Sequence, residues 1–502
     1  MIGQRLWIGI PESTISEQTH QQLLSVKPGG VILFGRNIDS HAQLSQLVID
    51  LRSILGPSLL ISIDQEGGRV VRIPDGVTLF PGNLALGAAA RRDRKRTLEL
   101  ARLQGQISGK ELRELGIDVN LSPCVDLLCS SDARGIGSRS FGSDPELTLA
   151  LATEIGSGHR EQGVQDCWKH FPGIGRVKVD PHFGLPRIPE QASDDHMVPF
   201  RAAANAGASM VMTSHVVAEA LDLENPVTTS RLAVTDHLRI ELGFPGVIIT
   251  DCLEMGGVSG FDFEQVIIGA TNAGHDALLV SHTPELQIRA RQILEQMQST
   301  DSTFDKTHQD SLQRLNRLEE GRAAEPSRLP SGAQVAQEIA RAGTTLLSGP
   351  PARIEGDGKW LLVVPRLQTR SPVEDPLRGE DLSILESRLG KQVDCLKIDF
   401  DADDEMIGKV IERGRPAAGV IMVLQGFRHS ERTRALVQAL ARENGRLIIV
   451  LLEDPRDLVA VPAGDQISVI TAFGFRPVHQ AAVASALMGE FEPSDQSPVQ
   501  FS

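Results

Sequence analysis

The chain reads as an α/β protein, an N-terminal (β/α)8 TIM-type barrel followed by a smaller α/β sandwich domain. Three observations lead there. Eight short aliphatic segments recur between residues 5 and 282 with amphipathic stretches between them. Polar residues gather at one end of those segments. After a polar stretch, a second set of strand-like and helix-like segments begins.

The eight segments are RLWIGI (5–10), GGVILFG (29–35), LLISIDQE (59–66), IDVNLSP (117–123), VQDCWKH (164–170), ASMVMTSH (208–215), GVIITD (246–251) and DALLVSH (276–282). Each is rich in β-branched or aliphatic residues and too short for a helix. HAQLSQLVIDLRSILG (41–56) and RTLELARLQGQISGKELRELG (96–116) carry apolar residues at helical spacing and close on glycine. Strand–helix alternation predicts a parallel sheet, and eight such units suit a closed barrel better than an open sheet.

The composition divides the chain into residues 1–297 for the barrel, 298–335 for a helical connector and linker, 336–492 for the sandwich domain and 493–502 for a frayed tail. The second domain is marked by WLLVV (360–364), GVIMVL (419–424), LIIVLL (447–452) and ISVITAF (467–473), with helical segments such as SERTRALVQALARENG between. A length of 502 residues fits two domains.

A formal charge of −15 excludes a phosphate-backbone partner, and the lack of tyrosine with only 4% aromatics leaves few stacking platforms, so no nucleic acid is expected. Cysteines 124, 129, 167, 252 and 395 form no CxxC and lie mostly beside apolar runs, which predicts reduced, buried thiols in a reducing compartment. No apolar run reaches transmembrane length and the N-terminus lacks a signal-peptide pattern, so a cytoplasmic protein without a membrane partner is expected.

Asp64, Lys169, His170, His215, Asp251 and His282 each stand at or just past the C-terminal end of a predicted strand. In a barrel those ends share one face, where active sites are built. IDQEGGRV (63–70) adds Arg69 and two glycines that let a ligand approach, and RSFGSDP (139–145) offers Arg139 on a loop. Asp251, after VIIT, suits a nucleophile, a metal ligand or a helix N-cap. In KHFPGIGRVKVDPHFGLP (169–186), Pro181 pushes Asp180 to an extended conformation that points Asp180 and His182 the same way. The carboxylate can then bond imidazole Nδ1–H and leave Nε2 to move a proton.

These motifs, with NLSPCVDL and AGHDALL, occur in the order found in family 3 glycoside hydrolases, and the chain resembles the bacterial β-N-acetylglucosaminidase branch over residues 5–290. The later segment resembles that family's C-terminal sandwich domain. The resemblance implies a retaining exo-glycosidase, with Asp251 as nucleophile and Asp180 with His182 as acid/base dyad on a mobile loop. It implies that Asp64, Arg69, Arg139, Lys169, His170 and His215 bind the terminal sugar, with Lys169 and Arg139 keeping Asp251 ionised. No cofactor and no metal are implied; the partner is a small GlcNAc-containing disaccharide or muropeptide from recycled peptidoglycan. Ile174 stands where the family usually has a loop histidine, Pro181 where it has serine, and Glu254 where it has a small or polar residue.

Other readings stay open on the sequence. Phosphate could replace water at a histidine dyad, or the sugar could be glucose or xylose as elsewhere in the family. A metallohydrolase would want a close His pair near the first strand, which RLWIGIPES lacks. A non-catalytic sugar-binding protein would be expected to have lost Asp251 or the dyad, and both are present.

Overall fold

Each of the eight apolar segments forms a strand: β1 (Leu6–Gly9), β2 (Gly30–Leu33), β3 (Leu60–Ile63), β4 (Val119–Asn120), β5 (Gln165–Phe171), β6 (Met210–Thr213), β7 (Val247–Thr250) and β8 (Leu278–Val280). They pair in parallel in the order β8-β1-β2-β3-β4-β5-β6-β7. A parallel bridge between Ile249 and Ala277, just ahead of β8, brings the two ends of the sheet together. This computed structural model describes residues 2–129, 135–177, 179–190, 194–300, 304–321, 328–369, 373–375 and 381–499.

The connecting helices start and stop where local chemistry requires. Ser40 Oγ accepts from Gln43 N–H to cap His41–Leu55, which ends at Gly56 in a positive-φ conformation. Asp93 caps Arg94–Glu114, two residues ahead of the predicted start. One apolar cluster holds Trp7, Ile32, Leu60, Val119, Met210, Val247 and Leu279, a residue from nearly every barrel strand, so the barrel is filled rather than open. Leu315 and Leu318 of the connector helix Phe304–Glu320 join it, and Arg314 of that helix bonds Asp276 at 2.9 Å just ahead of β8, at the N-terminal end of the barrel. Residues 301–303 and 322–327 of the expected connector lie outside the described residues.

The second domain is a mixed six-stranded sheet: β9 (Thr345–Ser348), β10 (Trp360–Pro365), β11 (Val393–Ile398), β12 (Val420–Gln425), β13 (Leu447–Leu452) and β14 (Ile467–Thr471). The order is β9-β14-β13-β12-β10-β11, with only β9 antiparallel to its neighbour. The four continuous apolar runs are its central strands. The two edge strands were not expected. In β11 exposed Asp394 and Lys397 interrupt the apolar residues, and β9 is four residues with a half-buried middle, so neither shows a run.

Two further expectations are corrected. The tail is not frayed through residue 499: Ser494 exchanges backbone bonds with Thr344 and Leu346, Pro498 O accepts from Ser143 N–H, and Val499 is buried. Residues 500–502 lie outside the described residues. All five cysteines are free, but Cys129 is exposed and Cys395 half-buried; the other three are buried. Among the described residues no helix is long and apolar enough to cross a membrane.

Candidate active site

At the C-terminal ends of the barrel strands lies a cavity of about 570 Å³ that brings together Asp64, Arg139, Lys169, His170, His182 and Asp251. A second cavity of similar size lies between the domains and holds none of these groups.

Asp64 follows β3 directly, and Lys169 and His170 are the two residues before the last of β5, Phe171. Successive strand residues normally face opposite ways, but the register of β5 against β6 shifts between Lys169 and Phe171, and both side chains reach the cavity. Lys169 Nζ lies 2.7 Å from both Asp64 Oδ1 and Glu66 Oε1. Arg139 clamps Glu66 with Nη2 at 2.8 Å and Nε at 3.0 Å, and Arg72 Nη2 lies 3.3 Å from Asp64. Burial alone would raise both carboxyls and lower Lys169. The mutual charges win, holding Asp64 and Glu66 below and Lys169 above their ordinary values. Lys169 and Arg139 were expected to serve Asp251. Instead they spend their charges on Asp64 and Glu66, and among the described residues neither pairs with Asp251.

His170 is oriented from behind. Its Nδ1 lies 2.7 Å from Asp126 Oδ2, whose other oxygen accepts from Ile174 N–H at 2.7 Å. Burial works to raise the Asp126 carboxyl, and His170 and the backbone donors outweigh it. Ile174 therefore holds the loop through its backbone while its buried side chain joins the apolar core. Cys124, Asp126 and His170 offer ligand atoms within 4.8 Å of one another. A cation there would have to displace the His170 and Ile174 bonds, and burial drives the Cys124 thiol well above its usual range, away from thiolate.

His182 Nδ1 lies 2.7 Å from Asp180 Oδ1, which also accepts the His182 backbone N–H at 3.0 Å. The pair meets by a different route from the extended strand expected. Residues 180–183 form a β-turn closed by Phe183 N–H to Asp180 O at 2.9 Å, with Pro181 at its first corner. Burial raises the Asp180 carboxyl, but the bonds to His182 hold it below the ordinary value. The loop after β7 supports this turn: Gly256 N–H reaches His182 O and Gly257 N–H reaches Pro181 O.

Asp251 follows β7 and anchors its own backbone on Thr213 O at 2.9 Å, while Oδ1 accepts Cys252 N–H at 2.7 Å. It caps no helix. The next one, Phe263–Ala273, is capped by Asp262, so the N-cap reading fails. Glu254 is turned away from the cavity chemistry and accepts the backbone N–H groups of His282 and Thr283 at 2.7 and 2.9 Å.

Two of the expected sugar-binding residues do not line the cavity. His215 is fully buried, with Nδ1 2.7 Å from Thr228 Oγ1 and Nε2 2.8 Å from Cys252 O, so both ring nitrogens are taken by the protein. Arg69 points at the second domain, where Nε donates to Glu374 at 2.7 Å. Glu374 and its neighbours Val373 and Asp375 do line the cavity, and Arg72 bonds Val373 O at 2.8 Å and Asp375 at 3.1 Å. The second domain thus supplies one wall. Sequence reading missed Glu66, Arg72, Asp126, Glu374 and Asp375. Glu66 and Arg72 lay within reach, since both flank the glycines of IDQEGGRVVR.

Carboxylates gathered at one barrel-top pocket are a setting in which glycosidic bonds can be hydrolysed. The model of the glycosyl hydrolase family 3 N-terminal domain matches residues 2–318. The chain belongs to glycosyl hydrolase family 3. A beta-hexosaminidase of Chromobacterium violaceum is 39% identical to this family 3 chain over 282 residues, 55% of this chain and 78% of its own. One from Bordetella avium is 34% identical over 330 residues, 63% of this chain and 93% of its own. Among solved structures, a family 3 beta-N-acetylglucosaminidase from Paenibacillus sp. str. FPU-7 is 32% identical with a TM-score of 0.90, covering 99% of this chain and 98% of that one. A beta-N-acetylhexosaminidase from Beutenbergia cavernae is 29% identical with a TM-score of 0.58, covering 64% of this chain and 97% of its own. The protein is accordingly a glycoside hydrolase with both domains of the two-domain family 3 arrangement.

Proposed function

We propose that this family 3 hydrolase removes terminal β-linked N-acetylglucosamine by double displacement with retention of configuration, acting on peptidoglycan-derived muropeptides. The observation that carries the reading is that His182, bonded to Asp180 at 2.7 Å, lines the same cavity as Asp251. The names of the beta-hexosaminidase relatives support the choice of sugar.

In this reading Asp251 attacks the anomeric carbon and His182 Nε2–H protonates the departing glycosidic oxygen. Asp180 fixes the Nδ1–H tautomer and stabilises the imidazolium. The glycosyl-Asp251 ester is then opened by water whose proton returns to His182. Asp64, Lys169, Arg139 and His170 hold the sugar's hydroxyl and acetamido groups at the buried end. Cys252 N–H bonded to Asp251 Oδ1 fixes the carboxylate and leaves the other oxygen to react. Five free cysteines suit a cytoplasmic location.

The test is a panel of aryl β-glycosides (N-acetylglucosaminide, glucoside, xyloside) with the product's anomeric configuration read by NMR. Fastest turnover of the N-acetylglucosaminide with a β-configured first product supports the proposal. A better glucoside, or an α-product, overturns it. Sugar 1-phosphate formed in phosphate buffer would assign a phosphorylase instead.

A further inference from the structure

The opposite end of the barrel holds a cationic cavity that the reaction described above does not use. At the N-terminal ends of the strands, Arg5 ahead of β1, Arg239 ahead of β7 and Arg314 of the connector helix gather around Asp276, just ahead of β8. The cavity they line has a volume of about 450 Å³ and also takes in Arg231 and Ser311. Asp276 is fully buried and committed on both oxygens. Its Oδ2 accepts Arg239 Nη2 at 2.6 Å and Ile248 N–H at 2.9 Å, and its Oδ1 accepts Arg314 Nε at 2.9 Å.

The positive charge here exceeds what that one carboxylate can meet. Arg5 is 1% exposed; its Nη2 donates to His275 O at 2.6 Å and its Nε to Asp276 O at 3.3 Å, while Nη1 has no partner. A buried donor in that state costs free energy until an acceptor reaches it. Among the described residues Arg314 commits only Nε, which leaves both of its amino groups to a ligand. Arg231 is exposed at the mouth, 3.5 Å from Asp236. Asp310, the other acid on the wall, is exposed and makes no ion pair among the described residues. Burial pushes Arg5 down to about 10 and lowers Arg239 as well; Asp276 opposes this and Arg314 adds to it. Helix Phe263–Ala273 ends at this cavity, but its last carbonyls are occupied. Gly274 N–H takes those of Ala270 and Thr271, and Thr235 Oγ1 takes that of Ala273, which blunts the negative end of the helix.

We propose that this cavity is a binding site for a phosphate group, free or carried on a small metabolite, held by Arg5, Arg314 and Arg231. Guanidinium donors reach the cavity from three separate elements, so the ligand has to offer oxygens in several directions. A tetrahedral phosphate does so, whereas a planar carboxylate faces one fork at a time. The cavity is larger than a phosphate ion needs, which leaves room for the body of a phosphorylated molecule. Arg5 belongs to the barrel and Arg314 to the helix that leads toward the second domain. A phosphate between them fastens the connector to the barrel floor and relieves the repulsion among the arginines. The site stands at the other end of the barrel from Asp251 and is independent of the reaction assigned there.

The experiment titrates the full chain with inorganic phosphate and with glycerol 3-phosphate, against sodium chloride of matched ionic strength, reading heat by calorimetry and melting temperature in parallel. A Kd of about 1 mM or tighter is expected for at least one of them, as a few charge-assisted pairs supply, with a melting temperature that rises with ligand concentration. Tighter binding of glycerol 3-phosphate assigns the site to an organic phosphate; equal or tighter binding of inorganic phosphate assigns it to the free ion. R314Q should weaken binding by about tenfold or more, and the charge reversal R231E several-fold. R231E should keep wild-type turnover of the aryl N-acetylglucosaminide. No heat and no melting shift with either compound at about 10 mM overturns the proposal. So does an affinity unchanged in both variants, which would place the ion elsewhere, the catalytic cavity included. If R314Q does not fold, R231E decides alone by the same criterion, since its exposed side chain is not needed for folding.

Discussion

The backbone N–H of Gly257 donates to the carbonyl oxygen of Pro181 at 2.8 Å. The segment that follows Asp251 thereby carries the turn that presents His182, and the two reacting side chains are positioned by one another's loops. A Cβ on Gly256 would come within 2.5 Å of His182 O and 2.8 Å of Phe183 C. G256A should therefore displace His182 with little change in melting temperature. Turnover of disaccharides, whose leaving oxygen needs a proton, should drop more than turnover of a nitrophenyl glycoside. Equal losses on both would show that the contact does not position the acid.

The same leaving-group contrast applies to the dyad itself. H182A should cost roughly 10²- to 10⁴-fold in kcat on a disaccharide and far less on an activated aryl glycoside. D180N should lie between wild type and H182A, because it keeps the backbone bond and loses the charge. Azide rescue of H182A on the aryl substrate, by direct attack on the glycosyl-enzyme, would distinguish loss of the general base from collapse of the pocket.

Lys169 bridges two buried carboxylates at once. K169M leaves Glu66 with Arg139 alone and Asp64 with Arg72 alone, an arginine it shares with Asp375, so each buried carboxylate loses one of its two cationic partners. A destabilisation of about 3–5 kcal/mol is expected from breaking such a network, seen as a lower denaturant midpoint with an unchanged m-value. A midpoint within error of wild type would show that the remaining arginines suffice.

E374Q tests the wall built by the second domain. Losing the charge opposite Arg69 should loosen residues 373–375 and raise KM several-fold, by about 1 kcal/mol of lost binding, with kcat nearly kept. A matching drop in kcat with unchanged KM would assign Glu374 to the reaction instead.

Stability should fall on mild acidification. Burial pushes His159, His275 and His479 down to about 4 from an ordinary 6.5. Between those values the unfolded chain binds protons that the native state refuses, so stability is full above about pH 6.5 and is lost progressively down to about pH 4. His479 also bonds Pro81 O at 2.8 Å across the domain interface. His196 and His308 are pushed down to about 4 in the same way, so H479Q should flatten the slope of melting temperature against pH by about a fifth if the five sites contribute alike.

How much of this was readable in the sequence depends on the range of the interaction. Barrel strands such as VIIT at 247–250 are local: four apolar residues bounded by turns, with the polar residue that matters directly after. Asp180 and His182 meet within one turn, so their pairing was legible although the backbone shape was not. Partner choice was not legible. Whether Lys169 faces Asp251 or Asp64 depends on how β5 sits against β3 and β6, and Glu374 reaches Arg69 across 305 residues of chain. His215 looked like a ligand residue because it follows a strand, and only the positions of Thr228 and Cys252 show it locked into the wall.

The wall supplied by residues 373–375 has a bearing on selective inhibition. The Beutenbergia cavernae structure is covered over 97% of its length by 64% of this chain, so a protein of that size has no counterpart for much of the second domain. A sugar mimic extended toward residues 373–375 would meet a wall that the second domain supplies. Such a compound would discriminate between the two architectures by the part of it that reaches beyond the barrel.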